Sequence, residues 1–254
     1  MTMIRGVIFD LDGTLVQTER IKALCYHKAI VQLGRADVSL TQVEETYKQV
    51  VGQTRHVVSR YIMGQFGLEP LCRPLLGRYG VTEPEGVLTA MRLLIYDDYV
   101  SDDAVLRANV WPFTMDLLQS AKGAGCRIAL ATSSLTAEAH RVLKALQVEA
   151  LFDAVVGLDQ VEHGKPNPEI YLTTAANLDI PPGECLVIED SAPGVTAGLA
   201  AGMNVIGVAT PFTLLSLHET ALLAHRWLVH DPAMLADAVR LRIAEHNLTH
   251  ESEI

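Results

Sequence analysis

The sequence predicts an α/β protein: a Rossmann-like parallel sheet core with an inserted all-helical domain. Three observations carry that prediction. From Pro112 onward, short apolar runs alternate with stretches of helical periodicity, the signature of strands joined by helical crossovers. Residues 20–100, by contrast, show helical spacing almost throughout. Third, the polar clusters Asp10/Asp12, Thr132/Ser133/Ser134 and Glu189/Asp190 each close an apolar run. In a parallel sheet, ligands gather at such carboxyl ends. The expected division is a core of residues 1–15 plus 109–254 and a helical insertion of 16–108.

Residues 3–9 read as the first strand. Ile21, Leu24, Cys25, Ala29, Ile30 and Leu33 then repeat at helical spacing, as do Val57, Val58, Tyr61, Ile62 and Phe66, and later Val87, Met91, Leu94 and Ile95. The stretches "GLEP" at 67–70 and "RPLLGRYG" at 73–80 punctuate this block with turns. Phe113, Leu117 and Ala121 suggest a helix closed by the glycines of "KGAG", and "CRIALATSS" a buried strand ending in hydroxyls. Ala139, Val142, Leu143 and Leu146 give the next helix, followed by the strand "LFDAVVGLD" and the helix "NPEIYLTTAANL". "CLVIEDS" is a strand ending in two acids, and "APGVTAGLAAG" a small-residue helix capped by Gly202. "NVIGVA" and "WLVH" read as the last strands and residues 232–245 as the last helix, with the tail "NLTHESEI" expected to fray.

Composition narrows the class. The chain has 254 residues, 49% hydrophobic and 20% charged, which suits a folded core rather than disorder. A formal net charge of −10 with no basic stretch argues against nucleic acid or an anionic membrane as partner. No apolar run approaches the ~18 residues of a membrane span, and the run Gly6–Phe9 is too short for the apolar core of a signal peptide. Cys25, Cys72, Cys126 and Cys185 lie far apart without metal or redox spacing. They are expected to be reduced in a cytoplasmic protein, with Cys126 and Cys185 opening strands. Nothing demands an oligomer, and a monomer is expected.

The clusters suggest a chemistry. In an extended chain Asp10 and Asp12 share a face, so their repulsion must be offset by a cation, a proton or hydrogen bonds. With Glu189 or Asp190 they make a hard, oxygen-rich site suited to Mg²⁺, which takes few protein carboxylates and keeps waters and substrate phosphate. Thr132 and Ser133 supply a hydroxyl and backbone donors at a helix N-terminus, where anions bind readily. Lys165, followed by Pro166 and Pro168, brings an ammonium that balances charge and holds a phosphate oxygen. A carboxylate nucleophile, a metal, an ammonium and oriented donors are the parts of phosphoryl transfer.

On "DLDGT" at 10–14, Thr132 in "IALATSS", Lys165 in "GKPNPEIY" and "IEDS" at 188–191, the chain resembles the haloacid dehalogenase superfamily of phosphotransferases. Its helical insertion resembles the small cap of the β-phosphoglucomutase-like branch. The resemblance implies that Asp10 attacks phosphorus and becomes an aspartyl-phosphate. It implies that Asp12 protonates the leaving oxygen and then deprotonates water. Asp10, the backbone carbonyl of Asp12 and Asp190 would hold Mg²⁺, with Glu189 direct or through water, while Thr132 and Lys165 hold the phosphate. Hinges near 15–18 and 108–112 would let the cap exclude water.

Within the family, the presence of Asp12 speaks against dehalogenation. Arg55 stands near the place of the lysine that forms a Schiff base in phosphonate cleavage, and a guanidinium cannot form that imine. "GQTR" at 52–55 and Thr18 resemble the sugar-phosphate mutases, where an arginine grips the distal phosphate. Yet this chain has Lys22 where the mutases carry histidine, and Leu135 where they carry lysine. Gln17 stands where the family commonly has an aspartate. The expectation is a Mg²⁺-dependent phosphatase of a small phosphorylated metabolite such as a sugar phosphate. The alternatives are a phosphosugar mutase and a non-catalytic phosphate-binding protein.

Overall fold

Gly6–Phe9 forms β1, and all four of its residues are buried, as a parallel strand covered on both faces must be. It lies inside a six-stranded sheet seen in a computed structural model that describes residues 3–251. The strands are β1, β2 (Arg127–Ala131), β3 (Ala154–Val156), β4 (Cys185–Glu189), β5 (Asn204–Val208) and β6 (Leu228–Val229). Their order is β3-β2-β1-β4-β5-β6, and every pair is parallel. Phe9 pairs with Leu130 on one side and with Ile188 on the other. Asp10, Ala131 and Glu189 therefore come level at one edge, with Thr132 one residue beyond, at the ends of three strands spaced by about 4.8 Å. Because β1 runs to β2 on one side and β4 lies on its other side, this edge is also where the strand order reverses, the usual crevice for a ligand.

The chain divides into two compact units: residues up to Gln17 together with those from Leu106 onward, and Thr18–Val105. The second unit is helical: α1 (Thr18–Gln32), α2 (Leu40–Lys48), α3 (Arg55–Gln65), α4 (Glu69–Cys72), α5 (Leu76–Tyr79) and α6 (Pro84–Tyr99). Here α1 and α3 pack on α6, burying Ala29 and Ile30 of α1, Ile62 of α3 and Val87 and Leu88 of α6. The two stretches read as turns are short helical pieces, α4, a 3₁₀ turn at Arg73–Leu75 and α5. Gly67 and Gly80, both at positive φ, stop the chain on either side of them.

Then α7 (Asp103–Ala108) spans the boundary between the two units, and around the sheet lie α8 (Pro112–Gly123), α9 (Thr136–Ala145), α10 (Glu169–Leu178), α11 (Ala192–Ala200), α12 (Leu214–Thr220) and α13 (Leu235–Glu251). Ile170, Tyr171 and Ala175 of α10 and Val195 and Ala197 of α11 pack with Ile8, Ala129 and Val187 of the sheet. Gly198 of α11 lies so close to β5 that a Cβ there would meet Val205 at 2.9 Å, which explains the small residues of this helix. Three expectations are corrected. "LFDAVVGLD" yields only a three-residue strand, because Glu149–Leu151 and Leu158–Gln160 close into 3₁₀ turns. Cys126 precedes β2 rather than opening it. The tail expected to fray from Asn247 stays helical through Glu251, and residues 252–254 lie outside the described residues.

Candidate active site

Asp10 follows the last residue of β1, its N–H donating to the carbonyl of Ile188 at 3.0 Å. The chain then turns back: the Gly13 N–H donates to the Val16 carbonyl at 2.7 Å. Gly13 has φ +89°, and a Cβ there would lie 2.0 Å from Oδ2 of Asp190. Only glycine allows the loop after β1 to press against the acid that follows β4. Gly194 does the same for Glu189, whose carboxylate occupies the space of a Cβ in the first turn of α11. Asp10, Glu189 and Asp190 are each at least 95% buried.

Into this group of acids comes Lys165. Its Nζ donates to Asp10 Oδ1 at 2.6 Å, to Glu189 Oε1 at 2.6 Å and to the Ala131 carbonyl at 3.1 Å, using all three of its N–H bonds. The ring of Tyr171 stands 5.1 Å away, and its hydroxyl donates to Glu189 Oε1 at 3.4 Å. Glu189 Oε2 accepts from the Ser191 N–H at 2.6 Å and the Ser191 hydroxyl at 3.0 Å. Ser191 in turn caps α11 by accepting from the Gly194 N–H.

Charge follows from this geometry. Burial pushes the Asp10 carboxyl up to about 8; Lys165 pulls it down, and Glu189 and Asp12 push it up. Burial alone would lower Lys165, yet Asp10 and Glu189 hold it well above lysine's ordinary value. Two buried acids thus share one ammonium, with Asp12 and Asp190 close to them in the chain, and a hard divalent cation on this oxygen set would complete the balance. Among the described residues no group of three or more His, Cys, Asp or Glu side chains is placed to hold a metal ion by itself. Mg²⁺ takes few protein carboxylates and completes its shell with backbone carbonyls, waters and substrate oxygens.

At the end of β2, Thr132 is fully buried and its Oγ1 accepts from the Ser134 N–H at 3.1 Å. That acceptor bond leaves the Thr132 hydroxyl hydrogen for another partner. Ser133 is half-buried beside it. Ser134, named from the sequence only as a member of the Thr132/Ser133/Ser134 cluster and given no role there, donates from Oγ to Asp12 Oδ2 at 2.8 Å. The only signal for it was the row of hydroxyls in "TSS". The fold thus gathers Asp10, Thr132, Lys165, Glu189 and Asp190 at the carboxyl edge, with Asp12 and Ser134 joined there. Arg55 is part of the other unit, opening α3 after Gly52, which has φ +84°. Lys22 of α1 lies 3.5 Å from Glu19, and Leu135 is 39% exposed.

Comparison with known proteins agrees with this reading of the fold. The family model for haloacid dehalogenase-like hydrolases matches residues 4–202. The chain belongs to that family. A phosphorylated carbohydrates phosphatase of Thermotoga maritima is 28% identical over 201 residues, 79% of this chain and 83% of that protein. A phosphoglycolate phosphatase of Salmonella typhi is 27% identical over 207 residues, 81% of each chain. Among solved structures, a β-phosphoglucomutase from Clostridium difficile shares the fold with a TM-score of 0.73 and 24% identity, over 97% of this chain and all of that one. This haloacid dehalogenase-like hydrolase has, among its described residues, no helix long and apolar enough to cross a membrane.

Proposed function

We propose that the chain is a Mg²⁺-dependent phosphatase that hydrolyses a small phosphorylated metabolite, in particular a sugar phosphate, through an aspartyl-phosphate on Asp10. The observation that carries this reading is the Lys165 ammonium shared between Asp10 and Glu189 at 2.6 Å each, inside a buried set of acids at the strand ends. A structural ion pair needs one carboxylate. A buried excess of acids with one ammonium suits a site that receives further positive charge and an anion. The names of the Thermotoga and Salmonella relatives support phosphatase chemistry and a small phosphorylated substrate.

The residues divide the work as follows. Lys165 anchors Oδ1 of Asp10 and presents Oδ2 to phosphorus. Oδ2 forms the new P–O bond as the ester P–O bond breaks. The leaving oxygen takes its proton from Asp12. In the second half, Asp12 takes a proton from water, the water oxygen bonds to phosphorus, and the bond to Asp10 breaks, releasing phosphate. The Thr132 hydroxyl and the donors of the Thr132–Ser133 turn hold the phosphoryl oxygens at the N-terminus of α9. Asp10, the Asp12 carbonyl and Asp190 would hold Mg²⁺, with Glu189 acting through water while it fixes Lys165. When bound, the metal neutralises phosphoryl charge and favours the ionised form of Asp10. The Thr18–Val105 unit is read as the cap, with Arg55 as its anion-recognising residue.

The mutase alternative loses support at Leu135, an exposed apolar side chain where a mutase lysine would stand. The test is ³¹P NMR of the chain with Mg²⁺ and a panel of phosphate esters, including β-glucose 1-phosphate with a trace of the 1,6-bisphosphate. Inorganic phosphate should grow and be lost in Asp10→Asn. A sugar 6-phosphate signal without phosphate release would make it a mutase. Turnover that survives in Asp10→Asn would end the covalent reading.

A further inference from the structure

Asp12 is only half-buried and sits on a loop that turns at Gly13, so its carboxylate needs outside help to keep one orientation. The Ser134 hydroxyl, 122 residues away in sequence, donates to Asp12 Oδ2 at 2.8 Å. Ser134 is itself held from both sides. Its N–H donates to Thr132 Oγ1 at 3.1 Å, and its carbonyl accepts from the Leu158 N–H at 2.9 Å. One turn on, the Thr136 N–H and hydroxyl both donate to Asp159 Oδ1, at 2.7 and 2.8 Å. Gln160 Nε2 donates to Thr136 Oγ1 at 2.8 Å. Gly157 allows this approach, since a Cβ there would lie 2.4 Å from the Thr136 nitrogen. The segment after β3 therefore clamps the segment after β2.

We propose that Ser134 is a positioning residue for Asp12, and that the clamp of Asp159 on Thr136 fixes Ser134 for that task. This deepens the phosphatase reading and rests on it. With the Ser134 hydrogen directed at Oδ2, the proton that Asp12 transfers to the leaving oxygen rides on Oδ1. Loss of the serine hydroxyl lets the carboxyl turn away, and the proton transfer suffers more than phosphate binding.

The test uses Ser134→Ala, Ser134→Thr and Asp159→Asn in the full chain, with aryl phosphates as probes. Phenyl phosphate needs its leaving oxygen protonated, whereas p-nitrophenyl phosphate leaves as a stable anion. In Ser134→Ala, kcat/KM for phenyl phosphate should fall by about tenfold, a part of what a general acid contributes, while that for p-nitrophenyl phosphate stays within about twofold. Ser134→Thr should restore the lost factor, and Asp159→Asn should show the same split at smaller size. An equal fall on both esters would mean that Ser134 serves phosphate binding or folding and would overturn the proposal, as would no fall on either. A crystal structure of Ser134→Ala gives a reading free of turnover. It should show the Asp12 carboxylate displaced, and an unmoved carboxylate overturns the proposal. If the parent chain hydrolyses neither ester, the phosphatase reading fails, and the structural comparison still decides the Ser134 contact.

Discussion

Replacing Lys165 with methionine keeps most of the side chain's length and removes its charge. It leaves Asp10 and Glu189, 5% and 1% exposed, without the ammonium that each meets at 2.6 Å. Breaking a buried pair by deleting one partner costs about 3–5 kcal/mol. Two carboxylates lose their partner here, but the pair sheds charge by keeping a proton, at ~1.4 kcal/mol per pKa unit, which holds the total in that range. At ~2–4 °C per kcal/mol for a chain of this size, Lys165→Met should lower Tm by roughly 6–20 °C. The sign with pH is fixed by Asp10. Its folded pKa is already raised to about 8, and losing Lys165 raises it further. The folded state then holds a proton that the unfolded chain releases above its carboxylate range. Up to about pH 8 the parent's Asp10 holds that proton too, so the loss traced to this group should stay level to about pH 8 and grow as pH rises above it. The assay is thermal unfolding followed by circular dichroism in EDTA, at several pH values. Glu189→Gln, added to Lys165→Met, should recover part of the loss by removing the stranded charge. A single variant within about 2 °C of the parent, or a double variant that is less stable than the single, would refute the assignment of Lys165 as the central counter-charge.

Further tests probe other parts of the fold. Gly13→Ala forces a non-glycine residue to φ +89° with its Cβ on the Asp190 carboxylate. It should cost about 1–2 kcal/mol of stability from the backbone alone, and turnover should fall by about 100-fold as Asp190 moves; denaturant melts and steady-state rates check both. Burial pushes the thiols of Cys25 and Cys72 up to about 11 and that of Cys185 to about 12, with Cys126 also raised. The folded chain should react slowly with a thiol reagent at pH 8, with the half-buried Cys126 first, and unfolding should release all four cysteines. Burial, then His218 and His225, lower the pKa of His230, whose ring lies 4.8 and 5.4 Å from theirs. The unfolded chain binds the proton more readily, so this group's share of stability is lost as pH falls through its unfolded value near 6.5. NMR titration should show His230 moving upward in His218→Asn; no movement would dismiss the coupling.

The sheet was legible because its strands are continuous apolar runs ending in acids or hydroxyls: β1, β2 and β4 lie where those runs do. Periodicity was a weaker guide to which helix face is buried. Val57, Tyr61, Leu94 and Phe113 fall at helical spacing with core residues, yet all are exposed. In short helices one apolar residue beside the buried stripe breaks no pattern. The tail was expected to fray as chain ends commonly do, yet no Gly or Pro interrupts it and the backbone continues as helix to Glu251. At the site, residue types and strand ends announced Asp10, Asp12, Thr132, Lys165, Glu189 and Asp190. What could not be read was pairing across the sheet. That Lys165 spans two acids, that Glu189 is tied up by Ser191, and that Ser134 reaches Asp12 all depend on register between distant segments.

The central claim, that Asp10 carries the phosphoryl group, is tested most directly by trapping it. The chain is quenched during turnover of its best substrate with Mg²⁺, reduced with borohydride, digested and analysed by mass spectrometry. Reduction of an aspartyl-phosphate leaves homoserine at its position. The account predicts homoserine at position 10 alone, absent without substrate. Full turnover with Asp10 unmodified, or homoserine at another acid, would contradict it.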